Sequence, residues 1–360
     1  MSTAPDCDRT GELVERVRLA TASRAPLRIV GGDTKRFYGR TVEAERLEVG
    51  DHRGVLHYDP AELVVTARAG TRLADLVALL LRHGQRLPFE PPAFGDAATV
   101  GGTIATGLAG PARIARGPVR DFVLGARVLS GDGRLLRFGG EVMKNVAGYD
   151  VSRLLAGSLG VLGVLLDVSL KVLPVAVGTR TVRTTVDAAT AIEALVAATQ
   201  RGVPVTASHW HDGELHVRLD GSTLALDDVA AQFGGVVLDP EVADAWWTGV
   251  REQQVAHFRT SGRLWRLHVP ANAPVTAFAR HATFAFEWNG AQRWVTGLEA
   301  DAAQALAHDC GGHATCFRGA APFEEVFAPL PRAMLELHQR VKQVFDPAGI
   351  LNPGRLYAAL

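Results

Sequence analysis

The chain has 360 residues, and its 38 lysines and arginines balance 38 aspartates and glutamates, so no global field draws it to nucleic acid or to an acidic membrane. An anionic ligand must then be held by local groups. Three cysteines, Cys7, Cys310 and Cys316, are too few and too odd a count for a secreted disulfide framework and fit a reducing cytoplasm.

The opening stretch MSTAPDCDRTGELVERV is acidic and lacks an apolar core, so it reads as neither a signal nor a transit peptide. Leu13, Val17 and Ala20 then recur at helical spacing and predict a first helix over 10–22. A strand over 27–30 runs into GGDTKRFYG, further strands are expected at 46–49, 54–58 and 63–67, and a helix at 73–81. The segment 88–117, rich in Gly, Pro, Ala and Thr, reads as a long functional loop. Strands at 123–130 and 134–138 flank a Gly-Asp-Gly turn. KNVAGYDVSRLL then opens a helix, and an apolar strand stops at Pro174. The stretch 154–173 is the most apolar of the chain, but Asp167, Lys171 and three glycines interrupt it, which excludes a membrane span of about 20 apolar residues.

Beyond Pro174 the glycine clusters thin out and a repeat appears, with an offset of about 77 residues. Its first copy is strand 179–186, helix 188–200, strand 205–211, an Asp212-Gly213 turn, strand 214–219 and helix 224–233. The second is strand 263–269, helix 274–281, strand 283–288, an Asn289-Gly290 turn, strand 291–296 and helix 299–310. Both turns carry the residues that a two-residue hairpin with positive φ demands. A last helix from Leu330 leads into FDPAGILNPGRLY, a fixed tail suited to docking on another domain.

Three glycine-rich places point to chemistry. Gly31, Gly32, Asp33 and Thr34 follow a strand, as a nest of backbone amides for phosphate oxygens would. The run Thr99, Val100, Gly101, Gly102, Thr103, Ile104, Ala105, Thr106 removes bulky side chains where a flat ligand could lie and adds hydroxyl donors. Gly157, Gly160, Val161 and Gly163 follow KNVAGYD and again join close-approach glycines to local donors. None of these is a Rossmann fingerprint or a P-loop.

In this order, with the terminal FDP-x-G-x-LNPGR, the motifs resemble the PCMH-type flavin-binding domain of the vanillyl-alcohol-oxidase and p-cresol-methylhydroxylase family, over about residues 25–175 and 335–360. The resemblance implies an α+β fold: a PCMH-type FAD-binding domain of two α+β subdomains over 1–175, a cap domain of two ferredoxin-like β-α-β-β-α repeats over 176–330, and a segment 331–360 returning to the FAD domain. It places the FAD pyrophosphate on Gly31, Gly32, Asp33 and Thr34 and the isoalloxazine near Gly101, Gly102, Ala105, Gly157 and Gly160, with Thr99, Val100, Thr103, Thr106, Gly117, Asn145, Tyr149, Val161 and Gly163 as further cofactor-binding residues and Asn352 and Arg355 closing the pocket. Some members attach the flavin through a His or Cys near the first loop or in the glycine-rich run; neither stretch has one here, so non-covalent FAD is expected.

Within the family, GGDTKRFYGR, GDAATVGGTIATGLAGP and MKNVAGYDVSRLLAGSLGVLG are most similar to the smaller flavoprotein subunits of bacterial glycolate oxidase. That similarity implies a larger FAD-containing partner subunit, an iron–sulfur subunit, electron delivery to the respiratory chain, and a cytoplasmic protein that meets the membrane only through its complex. The larger relatives carry HAGDGNLH in the cap, whose two histidines face each other across a hairpin and share a metal ion. The second-repeat hairpin offers Phe286 and Arg293 at those places, which cannot replace two imidazoles. The first-repeat hairpin offers His209 opposite His216 and His211 opposite Glu214, a candidate metal face that lies too early for the family motif. Cys310, His313 and Cys316 lack the four thiolates of an iron–sulfur cluster. Three roles stay open from the residues: a redox subunit whose partner performs the oxidation, a self-sufficient oxidoreductase of another hydroxy acid or alcohol, or a structural subunit whose flavin only stabilises the fold.

Overall fold

The computed structural model describes residues 6–140, 150–278, 281 and 283–360. The chain forms two compact units: residues to Leu108, Pro118–Pro174 and Ala321–Leu360 make the first, and Ala109–Gly117 with Val175–Ala320 the second. Among the described residues no helix is long and apolar enough to cross a membrane.

The first unit is built on a five-stranded antiparallel sheet, in the order Val55–Asp59, Val64–Arg68, Val164–Lys171, Val123–Leu129, Leu135–Gly139. Val164–Lys171 is central, and six of its eight residues are buried, Asp167 and Lys171 being the exceptions. Beside it the strand Leu27–Val30 pairs in parallel with Glu45–Glu48. The helix Thr10–Ser23 buries Leu13, Val17 and Ala20, the three residues its spacing selected, and stops where Arg24 turns left-handed at φ 52°. The C-terminal helix Arg332–Phe345 delivers the tail to the edge of the parallel pair, where Leu27 N–H donates to Ile350 O at 2.7 Å and Asn352 N–H to Leu27 O at 2.9 Å.

The segment expected to be a loop over 88–117 holds a helix, Val100–Thr106. Thr99 caps it by accepting the Gly102 N–H, and Gly107 closes it at φ 62°. These are ordinary start and stop signals, masked in the sequence by glycines that are poor helix formers.

The second unit is one eight-stranded antiparallel sheet: Val236–Val237, Gly178–Thr185, Glu214–Gly221, Val205–His211, Phe284–Glu287, Gln292–Thr296, Leu264–His268, His313–Arg318. The helices Ala188–Gln200 and Ala300–Asp309 contribute Leu195, Ala303 and Ala307 to the apolar core on one face of this sheet. The first hairpin turns at Asp212 and Gly213, φ 47° and 80°, in the two residues expected.

Three features of this unit depart from the expectation. Of the helix foreseen at 274–281, the described residues form a single 3-10 turn, Val275–Ala277. Arg293 explains it: its guanidinium donates to Ala273 O at 2.6 Å and Pro274 O at 3.3 Å, taking carbonyls that a helix would have used internally. The second hairpin keeps the expected register, Phe286 opposite Arg293, but turns through a 3-10 turn at Trp288–Gly290. The helix Pro240–Arg251, capped by Asp239, and the strand His313–Arg318 were not foreseen.

Candidate functional site

A cleft opens in the first unit between the strand Leu27–Val30 with its following turn, the Val100–Thr106 helix, the 159–163 turn and the C-terminal tail. Its walls include Gly31, Gly32, Asp33, Thr34, Thr99, Gly101, Gly102, Ala105, Thr106, Gly160, Gly163, Asn352 and Arg355, all expected there. Val100, Thr103, Gly157 and Val161 lie beside these wall residues in the chain but do not line the cleft, and Gly117 belongs to the second unit. Asn145 and Tyr149 lie outside the described residues.

The glycines are small for a reason the sequence did not disclose. A Cβ on Gly32 would overlap the Ala97 carbonyl oxygen, one on Gly31 the Thr99 hydroxyl, and one on Gly101 would stand 2.7 Å from Ala69 Cβ. Protein thus closes on these positions from behind, and their smoothness toward the cleft follows from loop packed on loop. The threonine hydroxyls are likewise committed within the protein. Thr34 Oγ1 donates to Ala93 O at 2.8 Å, Thr106 Oγ1 to Gly102 O at 2.9 Å, and Thr99 Oγ1 accepts from Gly102 N–H at 3.2 Å. Thr103 Oγ1 is buried without a hydrogen-bond partner.

Charge enters through Lys35, which ends the first glycine-rich stretch, and through Arg28 and Arg36, which the sequence did not single out. Arg28, Lys35 and Arg36 line the cleft with Arg355, against one carboxylate, Asp33. Asp33, left-handed at φ 55°, accepts from Arg28 Nη1 at 3.1 Å and is 3.4 Å from Arg46 Nη1, so its charge is neutralised in place. Arg28 is the polar member of an otherwise apolar strand, LRIV, a pattern that a solvated strand position gives equally.

The tail residues hold the walls. Asn352 accepts from Ile29 N–H at 2.8 Å and donates to Leu159 O at 2.7 Å, bridging the strand and the turn. Arg355 donates to Arg40 O and Tyr38 O at 2.7 Å and to Arg36 O at 3.0 Å, clamping the loop after the nest. Burial, with Arg28 nearby, lowers its pKa to about 10, which leaves it charged at neutral pH.

Comparison with known proteins gives this cleft its family. A model described as FAD binding domain matches residues 6–139, and one described as FAD linked oxidases, C-terminal domain, matches residues 325–356. Glycolate oxidase subunit GlcE of Escherichia coli strain K12 is 42% identical over 99% of both chains. The chain belongs to the GlcE-type FAD-binding subunits of the PCMH family. Glycolate oxidase subunit GlcD of Bacillus subtilis strain 168 is 32% identical, over 33% of this chain and 25% of its own. D-lactate dehydrogenase of Archaeoglobus fulgidus is 31% identical, over 44% and 35%. Among solved structures, alkyldihydroxyacetonephosphate synthase superposes with a TM-score of 0.68 at 15% identity, covering 97% of this chain and 75% of its own. That likeness concerns the fold.

As a GlcE-type subunit the chain is an FAD-dependent oxidoreductase component. The cleft fits this cofactor: the cations Arg28, Lys35 and Arg36 in its lining suit a diphosphate, and Gly101, Gly102, Ala105 and Gly160 in its walls admit a flat ring system. No histidine, cysteine or tyrosine stands among the described residues that line it.

The candidate metal face of the second unit has the expected register, His209 opposite His216 and His211 opposite Glu214, yet its rings do not converge on one point. His209 Nε2 meets His257 Nε2 at 3.3 Å, His211 Nδ1 meets Phe284 O at 3.1 Å, and His216 stacks on Trp246 at 3.9 Å between centroids. Among the described residues no group of three or more His, Cys, Asp or Glu side chains could hold a metal ion. Burial pushes His216 down to about 4 and His257 to about 3, so both are neutral at pH 7. Arg293, where the larger relatives would place an imidazole, is fully buried over the Phe278 ring at 4.3 Å.

Proposed function

We propose that this chain is the smaller, FAD-carrying subunit of a glycolate-oxidising complex, holding its flavin without a covalent link and working beside a larger FAD-containing subunit and an iron–sulfur subunit. What carries the reading is the end-to-end 42% identity with the glycolate oxidase subunit of E. coli. When bound, FAD supplies a reversible two-electron acceptor. In this reading Arg28, Lys35 and Arg36 balance the diphosphate charge, Arg355 fixes the loop that carries Lys35 and Arg36, and Asn352 sets the gap between the walls. The first unit is the FAD domain, the second the cap. Abstraction of hydride from glycolate falls to the larger partner, because Phe286 and Arg293 occupy the places where the larger relatives carry metal-binding histidines and Arg293 is tied to backbone carbonyls. The complex is cytoplasmic and reaches the membrane through its other subunits.

Two measurements test this. The purified chain should show a flavin spectrum, and acid precipitation should leave all the yellow colour in the supernatant; colour in the pellet would overturn the non-covalent assignment. Glycolate should reduce an artificial dye when this chain is combined with the larger subunit and not when it is alone. Dye reduction by the isolated chain would move the catalytic step into this subunit.

A further inference from the structure

Two walls of the FAD cleft end in residues with strained backbone. Leu159 at φ 52° and Asn352 at φ 42° both sit in the left-handed region without being glycine, and they are bonded to each other through Asn352 Nδ2 and Leu159 O. Such conformations persist only where their surroundings over-determine them. What determines them lies behind the cleft. Lys342 on the C-terminal helix is buried at 6% exposure, and its ammonium uses all three donors: Val161 O at 3.0 Å, Leu351 O at 2.9 Å and Asp346 Oδ2 at 2.7 Å. Val161 follows the strained turn by two residues, and Leu351 immediately precedes Asn352. Asp346, 1% exposed, completes the knot by accepting from Ile350 N–H at 3.1 Å and Leu351 N–H at 2.8 Å.

We infer that Lys342, paired with Asp346, is a positioning residue for FAD: it pins the 159–161 turn to the 351–352 tail and so fixes the width of the cleft without touching the cofactor. The lysine lines no part of the cleft. A buried lysine is an unusual choice for holding a helix to a loop, since an apolar side chain there would avoid desolvating a charge. The ammonium does what no apolar group can, joining carbonyls from two separate walls to one carboxylate.

The inference rests on the cleft being the seat of FAD, and the experiment separates the two. Apo-protein is titrated with FAD by flavin fluorescence and by visible circular dichroism, for the wild type, Lys342→Gln, and the charge-free double variant Lys342→Met/Asp346→Leu. Stoichiometric binding by the wild type is required of the cofactor assignment itself; its absence would sink that assignment. Removing both charges spares the fold an orphaned ion but leaves Val161 O, Leu351 O and the Ile350 and Leu351 N–H groups without their partners, so the double variant should melt below the wild-type apo-protein and is titrated at a temperature where circular dichroism shows it folded. Its FAD Kd should rise by at least about tenfold, with an altered flavin dichroism band, and Lys342→Gln, which keeps two donors, should fall between. Should the double variant fail to fold, Lys342→Gln alone decides. Wild-type Kd and wild-type dichroism in a folded variant would overturn the inference.

Discussion

At Gly32 and Gly157 the same residue type has different reasons to be there. Gly32 leaves no room for a Cβ because the Ala97 carbonyl occupies that space, whereas around Gly157 nothing lies within 4 Å and only its φ of 84° favours glycine. Gly32→Ala must therefore push two loops apart, and the variant is expected to lose FAD and to fall into the insoluble fraction. Gly157→Ala should lower stability by about 1–2 kcal/mol, the cost of a left-handed alanine, and keep its flavin; comparing yellow colour and urea midpoint of the two proteins checks this. Arg28 permits a cleaner test of charge. Arg28→Gln should raise the FAD Kd by about tenfold or more, in line with about 1.5–3 kcal/mol for a hydrogen bond to a charged group, and should flatten the dependence of affinity on salt. The glycine clusters were legible because few other roles concentrate so many side-chain-free positions. The arginine was not, since a lone cation in a four-residue strand looks like any solvated position until the chain closes around it.

Among elements, the turn that replaced an expected helix is the most instructive. The periodicity of Pro274, Ala277 and Phe278 was compatible with a helix, and nothing local forbids one. Arg293, whose guanidinium meets Gly290 O at 3.1 Å, Ala273 O at 2.6 Å and Pro274 O at 3.3 Å, satisfies from outside the carbonyls a helix would satisfy from within. Burial lowers its pKa to about 10, so it stays charged and its removal strands carbonyls in the interior. Arg293→Met is expected to destabilise the second unit by about 2–4 kcal/mol, from two or more unsatisfied buried acceptors, while flavin content in the first unit stays unchanged; denaturant unfolding followed by tryptophan emission and by flavin emission separates these effects. A guanidinium approaching from a distant strand is a tertiary event and leaves no mark on a local pattern. The Val100–Thr106 helix is the converse: Thr99 and Gly107 marked both of its ends, and weak glycine propensity between them outweighed those marks in the reading.

For the molecule as a whole, the two units should differ in their response to acid, and the chain carries its own reporter. All six tryptophans, Trp210, Trp246, Trp247, Trp265, Trp288 and Trp294, lie in the second unit, so intrinsic fluorescence follows that unit alone. The same unit buries histidines whose folded state resists protonation: burial holds His209 far below its usual value and brings His216 to about 4, His257 to about 3 and His268 to about 2. Above the ordinary histidine pKa of about 6.5 both folded and unfolded chains leave these groups neutral, and they exert no pH dependence. Below it the unfolded chain binds protons that the folded one refuses, so stability falls with pH by about 1.4 kcal/mol per unit for each histidine. Glu287 works the other way. Fully buried and raised to about 7, it binds a proton in the folded state before the unfolded chain does, and its contribution grows as pH falls from about 7 to about 4.5. One carboxyl opposes four imidazoles, so the net slope is a loss. The tryptophan-monitored urea midpoint is accordingly expected to be flat from pH 8 to 7 and to drop steeply between about pH 6.5 and 4.5. Replacing His216, which stacks on Trp246, with phenylalanine keeps an aromatic ring at that place and removes one titrating group. The His216→Phe protein should show a shallower acid slope by about one proton, and an unchanged slope would mean that the buried imidazoles do not set the acid response of this unit.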